Sequence, residues 1–379
     1  MEPVTLVAAD ITLRPAKDTD YPAFAAALAD RDIFRWTLAP EMFNEDSWAV
    51  YLPTTHKQWI RDSVYRWCVV DTDSDELLGM VGFLVHRHET LEIVYWSTRA
   101  GRGKGIVERA CRVAISWAFD AAGARRVSWD AIIGNQYSRL LARKLGFTMT
   151  GKSRAALDQR GTRVDLWTGE MLPGELSDEP PPGYATMRAR AVALMEEQPV
   201  LKTERPELTL RPFADDDVDD IVAVSRDPES VRWITVPTPY TREHAEGFLR
   251  IVRAGWTEGT NLIFALSDAD GRYSGSIDLR LGADLRTGEV GYAAAPWARG
   301  KGYMTSALKA ISAYAFEVMA CERVVWKAYV GNEASRRVAE KAGFTMEGTL
   351  RADQIHRGEP RDCWVASLLK AEYLEGKAK

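Results

Sequence analysis

The segment Arg299-Gly300-Lys301-Gly302-Tyr303-Met304 follows an apolar run, Val290 to Ala295, that stops at Pro296. After it, Met304, Ala307, Leu308, Ile311, Tyr314 and Ala315 recur at helical spacing. A strand, a basic glycine-bearing loop and a helix start are the parts of a diphosphate site. Backbone N–H groups point outward there, the helix dipole favours negative charge, and glycine lets the backbone come close. Arg299 and Lys301 can add charge, and Thr305 follows them in the first turn. Residues Arg102-Gly103-Lys104-Gly105-Ile106-Val107 repeat the recipe. The loop is neither the Walker pattern GxxxxGKS/T nor GxGxxG. A solvated basic turn has the same composition, so the loop alone does not decide.

That repetition runs through the chain. Ile11-Thr-Leu-Arg-Pro15 returns as Leu208-Thr-Leu-Arg-Pro212, an offset of 197 from Leu13 to Leu210. The same offset carries Arg35-Trp36 to Arg232-Trp233, Glu92 to Glu289, Asn135 and Ser138 to Asn332 and Ser335, Gly146-Phe147 to Gly343-Phe344, and Asp165 to Asp362. The register slips by one in between, where Gly79 matches Gly275. A repeat this long is a whole domain. Composition shifts at Pro173 to Gly183, with Pro180-Pro181-Pro182 flanked by acids, and residues 184–198 can form a connecting helix. The reading is domain one at 1–174, a linker at 175–205 and domain two at 206–379.

Within each copy the order reads strand, helical region, strands, helix, strand, helix, strand. Val324, Trp326, Ala328 and Val330 alternate as a half-buried strand does, and Val127, Trp129, Ala131 and Ile133 do the same. Val107, Ala110, Cys111, Ala114, Trp117 and Ala118 repeat the helical spacing in copy one. Each copy is therefore read as a mixed α/β sheet with helices packed on it.

The 379 residues suit two domains. With 46% hydrophobic and 27% charged residues, the chain can build packed cores. A net charge of -5 gives no electrostatic reason to bind nucleic acid or anionic lipid. No apolar stretch approaches a membrane span, and Met-Glu-Pro-Val does not read as a signal peptide. Cys68, Cys111, Cys321 and Cys363 form no CxxC pair and read as buried thiols of a reducing cytoplasm. His86 and His88 would share a strand face but lack a third ligand, so no metal is expected.

RxxGx(G/A) after a strand ending near proline, then NxxS and GF, resembles the GNAT N-acetyltransferase superfamily. Leu-Arg-Pro, Gly291-Tyr292, Gly302-Tyr303, Asn332-x-x-Ser335 and Gly343-Phe344 resemble its ribosomal-protein N-terminal acetyltransferase branch and the antibiotic-modifying relatives. The resemblance covers both copies nearly end to end. It implies that Arg299–Met304 with Thr305, and Arg102–Val107, hold the pyrophosphate of acetyl-CoA. It implies that pantetheine lies along a splayed strand, Tyr292 to Ala295 through Ala293 and Ala294, or Tyr95 to Thr98, beside Asn332 or Asn135. Met304 and Val107 stand where the family has glycine or alanine, and Glu108 brings a carboxylate near the phosphates where copy two has Thr305. Copy one is therefore expected to be the weaker cofactor site.

The resemblance also assigns chemistry. An amine must lose a proton, the oxyanion needs a fixed donor, and the departing thiolate needs a proton. Glu289 and Glu92 match the family's base position. Ser335 and Ser138 match a serine near the leaving sulfur, with a helix cap as the alternative, since Asn332 and Ser335 sit where a helix starts. The tyrosine acid of other branches is absent, Ala339 and Ala142 standing there. Gln354 and Leu157 occupy the place of a glutamate, with Asp353 and Asp158 the nearest carboxylates. Trp233 and Trp36 lie where the family builds its acceptor pocket, or are aromatic core. Asp165 and Asp362 are expected to make structural hydrogen bonds. The expected activity is metal-free acetyl transfer from acetyl-CoA to a primary amine of a small molecule, amino acid or peptide N-terminus. The alternative is an acyl-CoA-binding module with one or both copies non-catalytic. The chain is expected to be a monomer with an internal pseudo-dimer, or a homodimer.

Overall fold

In the computed structural model, which describes residues 1–378, both copies fold into the same order of elements. The first copy runs β1 (Leu6–Ala8), β2 (Ile11–Arg14), α1 (Tyr21–Leu28), α2 (Arg31–Trp36), α3 (Glu45–Ile60), β3 (Val64–Asp71), β4 (Leu77–His86), β5 (Thr90–Ser97), α4 (Ile106–Asp120), β6 (Arg126–Ile132), α5 (Gln136–Leu145), β7 (Thr148–Gln159) and β8 (Thr162–Met171). The second runs α6 (Tyr184–Met195), β9 (Leu201–Lys202), β10 (Thr209–Arg211), α7 (Val218–Arg226), α8 (Pro228–Trp233), α9 (Arg242–Glu258), β11 (Asn261–Ser267), β12 (Tyr273–Leu281), β13 (Thr287–Ala294), α10 (Tyr303–Glu317), β14 (Arg323–Tyr329), α11 (Glu333–Lys341), β15 (Thr345–His356), β16 (Glu359–Leu369) and α12 (Lys370–Lys377).

Each copy is one eight-stranded mixed sheet, in the order β1-β2-β3-β4-β5-β6-β8-β7 and β9-β10-β11-β12-β13-β14-β16-β15. Neighbours are antiparallel except β5 with β6 and β13 with β14. A parallel pair needs a crossover, and α4 and α10 supply it. Their apolar stripes cover one sheet face: Ile115 and Trp117 meet Trp67, Phe83 and Ile93, and Ile311 and Tyr314 meet Phe264, Ile277 and Val290. The other face packs Phe24, Trp48, Cys68 and Trp96 in copy one, and Val218, Ile221, Leu249 and Tyr273 in copy two.

One sequence reading changes. The single closing strand is a long hairpin in each copy, β7–β8 and β15–β16. Arg160-Gly161 and Arg357-Gly358 turn it with positive φ at both residues, the geometry a two-residue hairpin requires. The segment 175–205, read as a Pro-rich linker and connecting helix, divides between the two units, and its parts pack on different cores. The compact units meet between Tyr184 and Ala185. Ser177 donates its N–H to the Leu145 carbonyl at 3.0 Å, which fastens the first part to unit one. In unit two, the buried Arg190 guanidinium of α6 donates to the Met319 and Leu285 carbonyls at 3.0 and 3.1 Å. β9 then extends the second sheet by pairing Leu201 with Leu210.

Candidate active site

The parallel pairing that carries the site is short. β13 pairs with β14 from Thr287↔Arg323 to Val290↔Trp326, and β5 pairs with β6 from Thr90↔Arg126 to Ile93↔Trp129. Beyond those residues the strands part, which opens a slot along Gly291–Ala294 and along Val94–Ser97. Tyr292 and Tyr95 stand at its beginning.

Tyr292 anchors a closed network. The indole N–H of Trp326 donates to the Tyr292 hydroxyl at 2.9 Å and to Ser335 Oγ at 3.3 Å. Ser335 Oγ donates to the Tyr292 hydroxyl at 3.0 Å, and that hydroxyl donates to the Ser335 carbonyl at 3.1 Å. Unit one repeats it: Trp129 Nε1 lies 3.1 Å from both the Tyr95 hydroxyl and Ser138 Oγ, and the two hydroxyls are 2.9 Å apart. Burial pushes the Tyr292 phenol up to about 12 and raises that of Tyr95 as well, so both keep their protons at neutral pH. Asn332 and Asn135 cap α11 and α5, their Oδ1 atoms accepting from Ser335 N at 3.1 Å and Ser138 N at 3.2 Å. Each serine is thus held by a cap, an indole and a phenol. The resemblance placed both tyrosines on the splayed strand, but the role of their hydroxyls was not read from the motif; their recurrence at the offset of 197 was the available signal.

Glu289 lies on the same strand, with Arg280 Nη2 3.2 Å from its Oε1. Arg280 Nε also reaches Asp278 at 3.0 Å. Gly291 stands across from Asp278, and a Cβ there would come within 2.8 Å of the Asp278 carboxylate and 2.9 Å of the Arg280 guanidinium. Burial, opposed by Arg280 and reinforced by the Glu289 charge, pushes Asp278 up to about 6. Unit one builds a different cluster at this place. His86 Nε2 lies 2.7 Å from Glu92 Oε2, and Asp130 is pushed up to about 6 by burial and the Glu92 charge. His88 falls in the turn after β4. Among the described residues, no group of three or more His, Cys, Asp and Glu is placed to hold a metal.

The two loops share a backbone and differ in surroundings. Gly300 and Gly302 are left-handed at φ 76°, and Gly103 and Gly105 at φ 73° and 69°. Gly302 and Gly105 are the N-caps of α10 and α4 and offer no side chain to the first N–H groups of either helix. The loop arginines are not free charges. Arg299 binds Asp227, the N-cap of α8, and donates to Ser230 Oγ at 2.9 Å; Arg102 binds Asp30 and Asp32 at 3.2 and 2.9 Å. The Arg299 guanidinium holds the Asp227 carboxyl below its usual range. Lys301 and Lys104 are exposed.

In unit two the helix start borders a cavity of about 530 Å³ lined by Arg205, Gly302, Thr305, Ser306 and Lys341, with Glu207 and Glu204 in its wall paired to Arg205 and Lys309. At the same place in unit one, Glu108 pairs with Arg112 at 3.2 Å and Lys144 at 2.5 Å. Glu108 is therefore not the bare charge expected from sequence. Arg109, where unit two has Ser306, donates to the Lys104 carbonyl at 3.0 Å and to Asp10 at 3.0 Å. Ile106 and Met304 turn inward, while Val107 and Tyr303 are half-buried.

Trp233 and Trp36 end α8 and α2, half-buried, under the guanidinium groups of Arg232 and Arg35. A Cβ at Gly331, next to the Asn332 cap, would touch the Trp233 ring at 3.8 Å, so this indole edges the β14–α11 turn. The hairpin tips hold these segments: Arg160 donates to the Phe34 carbonyl at 2.7 Å, and Thr235 Oγ1 lies 3.1 Å from His356 Nδ1. Asp165 and Asp362 accept the Ala155 and Ala352 N–H groups at 2.7 and 2.8 Å, which are structural bonds. Asp353 pairs with Lys327 at 3.1 Å, and Asp158 accepts from Gly161 N at 2.8 Å in the hairpin turn.

The family model described as the acetyltransferase (GNAT) domain matches residues 10–148 and 207–345. An uncharacterized N-acetyltransferase of Bacillus subtilis, YoaA, is 28% identical over 174 residues, 45% of this chain and 97% of that protein. The putative ribosomal N-acetyltransferase YdaF of the same organism is 41% identical over 105 residues, 27% of this chain and 57% of its own length. A solved structure titled as RimL, a ribosomal L7/L12 alpha-N-protein acetyltransferase in complex with coenzyme A, aligns at 18% identity with a TM-score of 0.42, covering 46% of this chain and 99% of that one.

Proposed function

The chain belongs to the GNAT acetyltransferase family and is an acyltransferase with one such domain in each unit, and we propose that unit two transfers acetyl from acetyl-CoA to the primary amine of a peptide or small molecule. The observation that carries this is the parting of β13 and β14 after Val290↔Trp326, directly above a left-handed loop at a helix start. Pantetheine fits the slot, where the free strand edge of Gly291–Ala294 offers backbone groups. The pyrophosphate fits the α10 start, with Lys301 and Lys341 adding charge.

The chain's own residues supply the rest. Glu289 and Asp278 form the base pair at the strand face, and Arg280 fixes both carboxylates. An acceptor ammonium loses its proton to a carboxylate there, directly or through water, and the neutral amine attacks the thioester carbon. The Tyr292 hydroxyl, whose proton rests on the Ser335 carbonyl, turns that proton to the sulfur as it leaves. Ser335 and Trp326 hold that hydroxyl, so Ser335 acts chiefly by positioning it. YdaF's name as a putative ribosomal N-acetyltransferase favours a peptide or protein N-terminus as acceptor.

A second reading applies to unit one. There the paired Glu108 and the folded-over Arg109 occupy the ground that the cavity occupies in unit two, which favours a unit kept for architecture or binding. The test is thiol release from acetyl-CoA with a library of peptides and small amines, followed by mass spectrometry of the products. Glu289→Gln is expected to lower turnover while sparing acetyl-CoA affinity. Full turnover in that variant would remove Glu289 from the mechanism.

A further inference from the structure

Unit one contains a cavity of about 480 Å³ on the face of its sheet covered by α1 and α3, within the size range of small-ligand sites. Its walls are mostly aromatic and apolar, Phe24, Tyr51, Trp59, Trp67 and Met80 among them. Arg66 is the basic residue of its sheet wall, opposite Gly82 in register, where a Cβ would press within 2.9 Å of the arginine's own side chain. The glycine leaves Arg66 room to lie along the sheet. Its guanidinium has a long hydrogen bond, 3.4 Å to Gln58 Oε1, and lies against the Tyr51 hydroxyl; both partners are neutral. Among the described residues it makes no ion pair, and Asp18, the carboxylate in the lining, is exposed and does not reach it. A half-buried arginine facing an aromatic cavity without an anion contrasts with Arg14, paired with Asp20, and Arg190, which donates to two carbonyls.

Unit two shows that the cavity is not a by-product of the fold. At the matching positions Phe213 replaces Ala16, Phe248 replaces Tyr51 and Ile263 replaces Arg66. Phe213 packs against Phe248 at 5.5 Å and Tyr273 at 5.8 Å and fills the space. The three differences run together: where the space is open, a charge and a hydroxyl face it, and where it is filled, both are gone.

We propose that this unit-one cavity binds a small organic carboxylate with an aromatic or branched apolar body. The carboxylate takes the Arg66 guanidinium, the Tyr51 hydroxyl stands beside it, and the apolar body lies between Phe24, Leu52 and Met80. The assignment does not depend on acetyl transfer.

The test is calorimetric titration of the full chain with 3-phenylpropionate and 4-methylpentanoate, and with 3-phenylpropanamide as the neutral isostere. Binding of either acid is expected, with the amide about tenfold weaker or worse, as loss of a charge-assisted hydrogen bond predicts. Arg66→Met is expected to weaken the acid by about the same factor, and Ala16→Phe, which copies unit two, to abolish it. No binding of either acid at millimolar concentration overturns the proposal. So does equal affinity for acid and amide in the unaltered protein, a comparison that needs no variant to fold.

Discussion

The two units carry one hydroxyl network and two different helix starts. Trp326, Tyr292, Ser335 and Asn332 are matched bond for bond by Trp129, Tyr95, Ser138 and Asn135. Thr305, Ser306 and Lys341 line an open cavity, whereas Glu108, Arg109 and Lys144 engage one another or their own loop. The network is also the clamp that joins the sheet to α5 or α11, so packing alone can preserve it. The helix start has no such structural duty, and its side chains follow the ligand. Agreement between the copies is therefore no sign that both are active, and disagreement marks where their chemistry can part.

The largest effect should come from the loop glycines. Gly302→Val places a β-branched residue at φ 76° and its Cβ 2.9 Å from Arg205, a left-handed penalty of about 1–2 kcal/mol before the clash. Acetyl-CoA binding by the full chain is expected to vanish. Gly105→Val imposes similar strain in unit one and is expected to leave that binding intact. Loss in both variants, measured by calorimetry, would break the contrast between the units.

Next is the phenol. Tyr292→Phe removes the hydroxyl and keeps the ring, and turnover is expected to fall about 10²-fold, within the usual range for a proton-transfer group. Tyr95→Phe should leave turnover unchanged. If steady-state kinetics show Ser335→Ala falling further than Tyr292→Phe, the serine itself protonates the sulfur and the assignment of roles reverses.

A smaller effect, but a sharper one, concerns pH. Asp278 is pushed up to about 6, so its carboxylate is present above that pH and lost as pH falls through it. Turnover is expected to drop on the acidic side near pH 6. Asp278→Asn should lower the plateau about tenfold and flatten that limb, while Asp130→Asn, at the corresponding cluster of unit one, leaves the profile unchanged. An unaltered acidic limb in the Asp278 variant would assign it to another group.

The sequence disclosed the duplication, the strand–loop–helix junction and the capping asparagines, because each depends on spacing along one stretch of chain. It hid what depends on strands distant in sequence. Asp278 looks like any polar residue of an alternating strand until pairing puts Gly291 across from it. Arg299 looks like a phosphate ligand until α8 presents Asp227. The Arg-Gly hairpin turns at 160–161 and 357–358 were readable, since both recur at the offset of 197, but lack the Asn-Gly or Asp-Gly signature that marks such turns.

The smallest effect tests what closes unit one. Glu108 neutralises Lys144 and Arg112 beside the α4 start, whereas with Thr305 in its place the matching Lys341 makes no ion pair among the described residues, Glu204 and Glu207 of the same cavity being paired with Lys309 and Arg205. Glu108→Thr therefore frees Lys144 where a diphosphate would sit, Arg112 staying on the Ser177 carbonyl and Asp178, and removes a like charge from the positive end of the helix. Such a change at a helix terminus is worth about 1 kcal/mol, or roughly fivefold in affinity. The measurement belongs in the Gly302→Val background, where unit two is silent and any heat with acetyl-CoA comes from unit one. Weak binding that appears only with Glu108→Thr would make that carboxylate the lock. If none appears, the remaining closure is Arg109, which spans the Lys104 carbonyl and Asp10, and Arg109→Ser in the same background should then open the site.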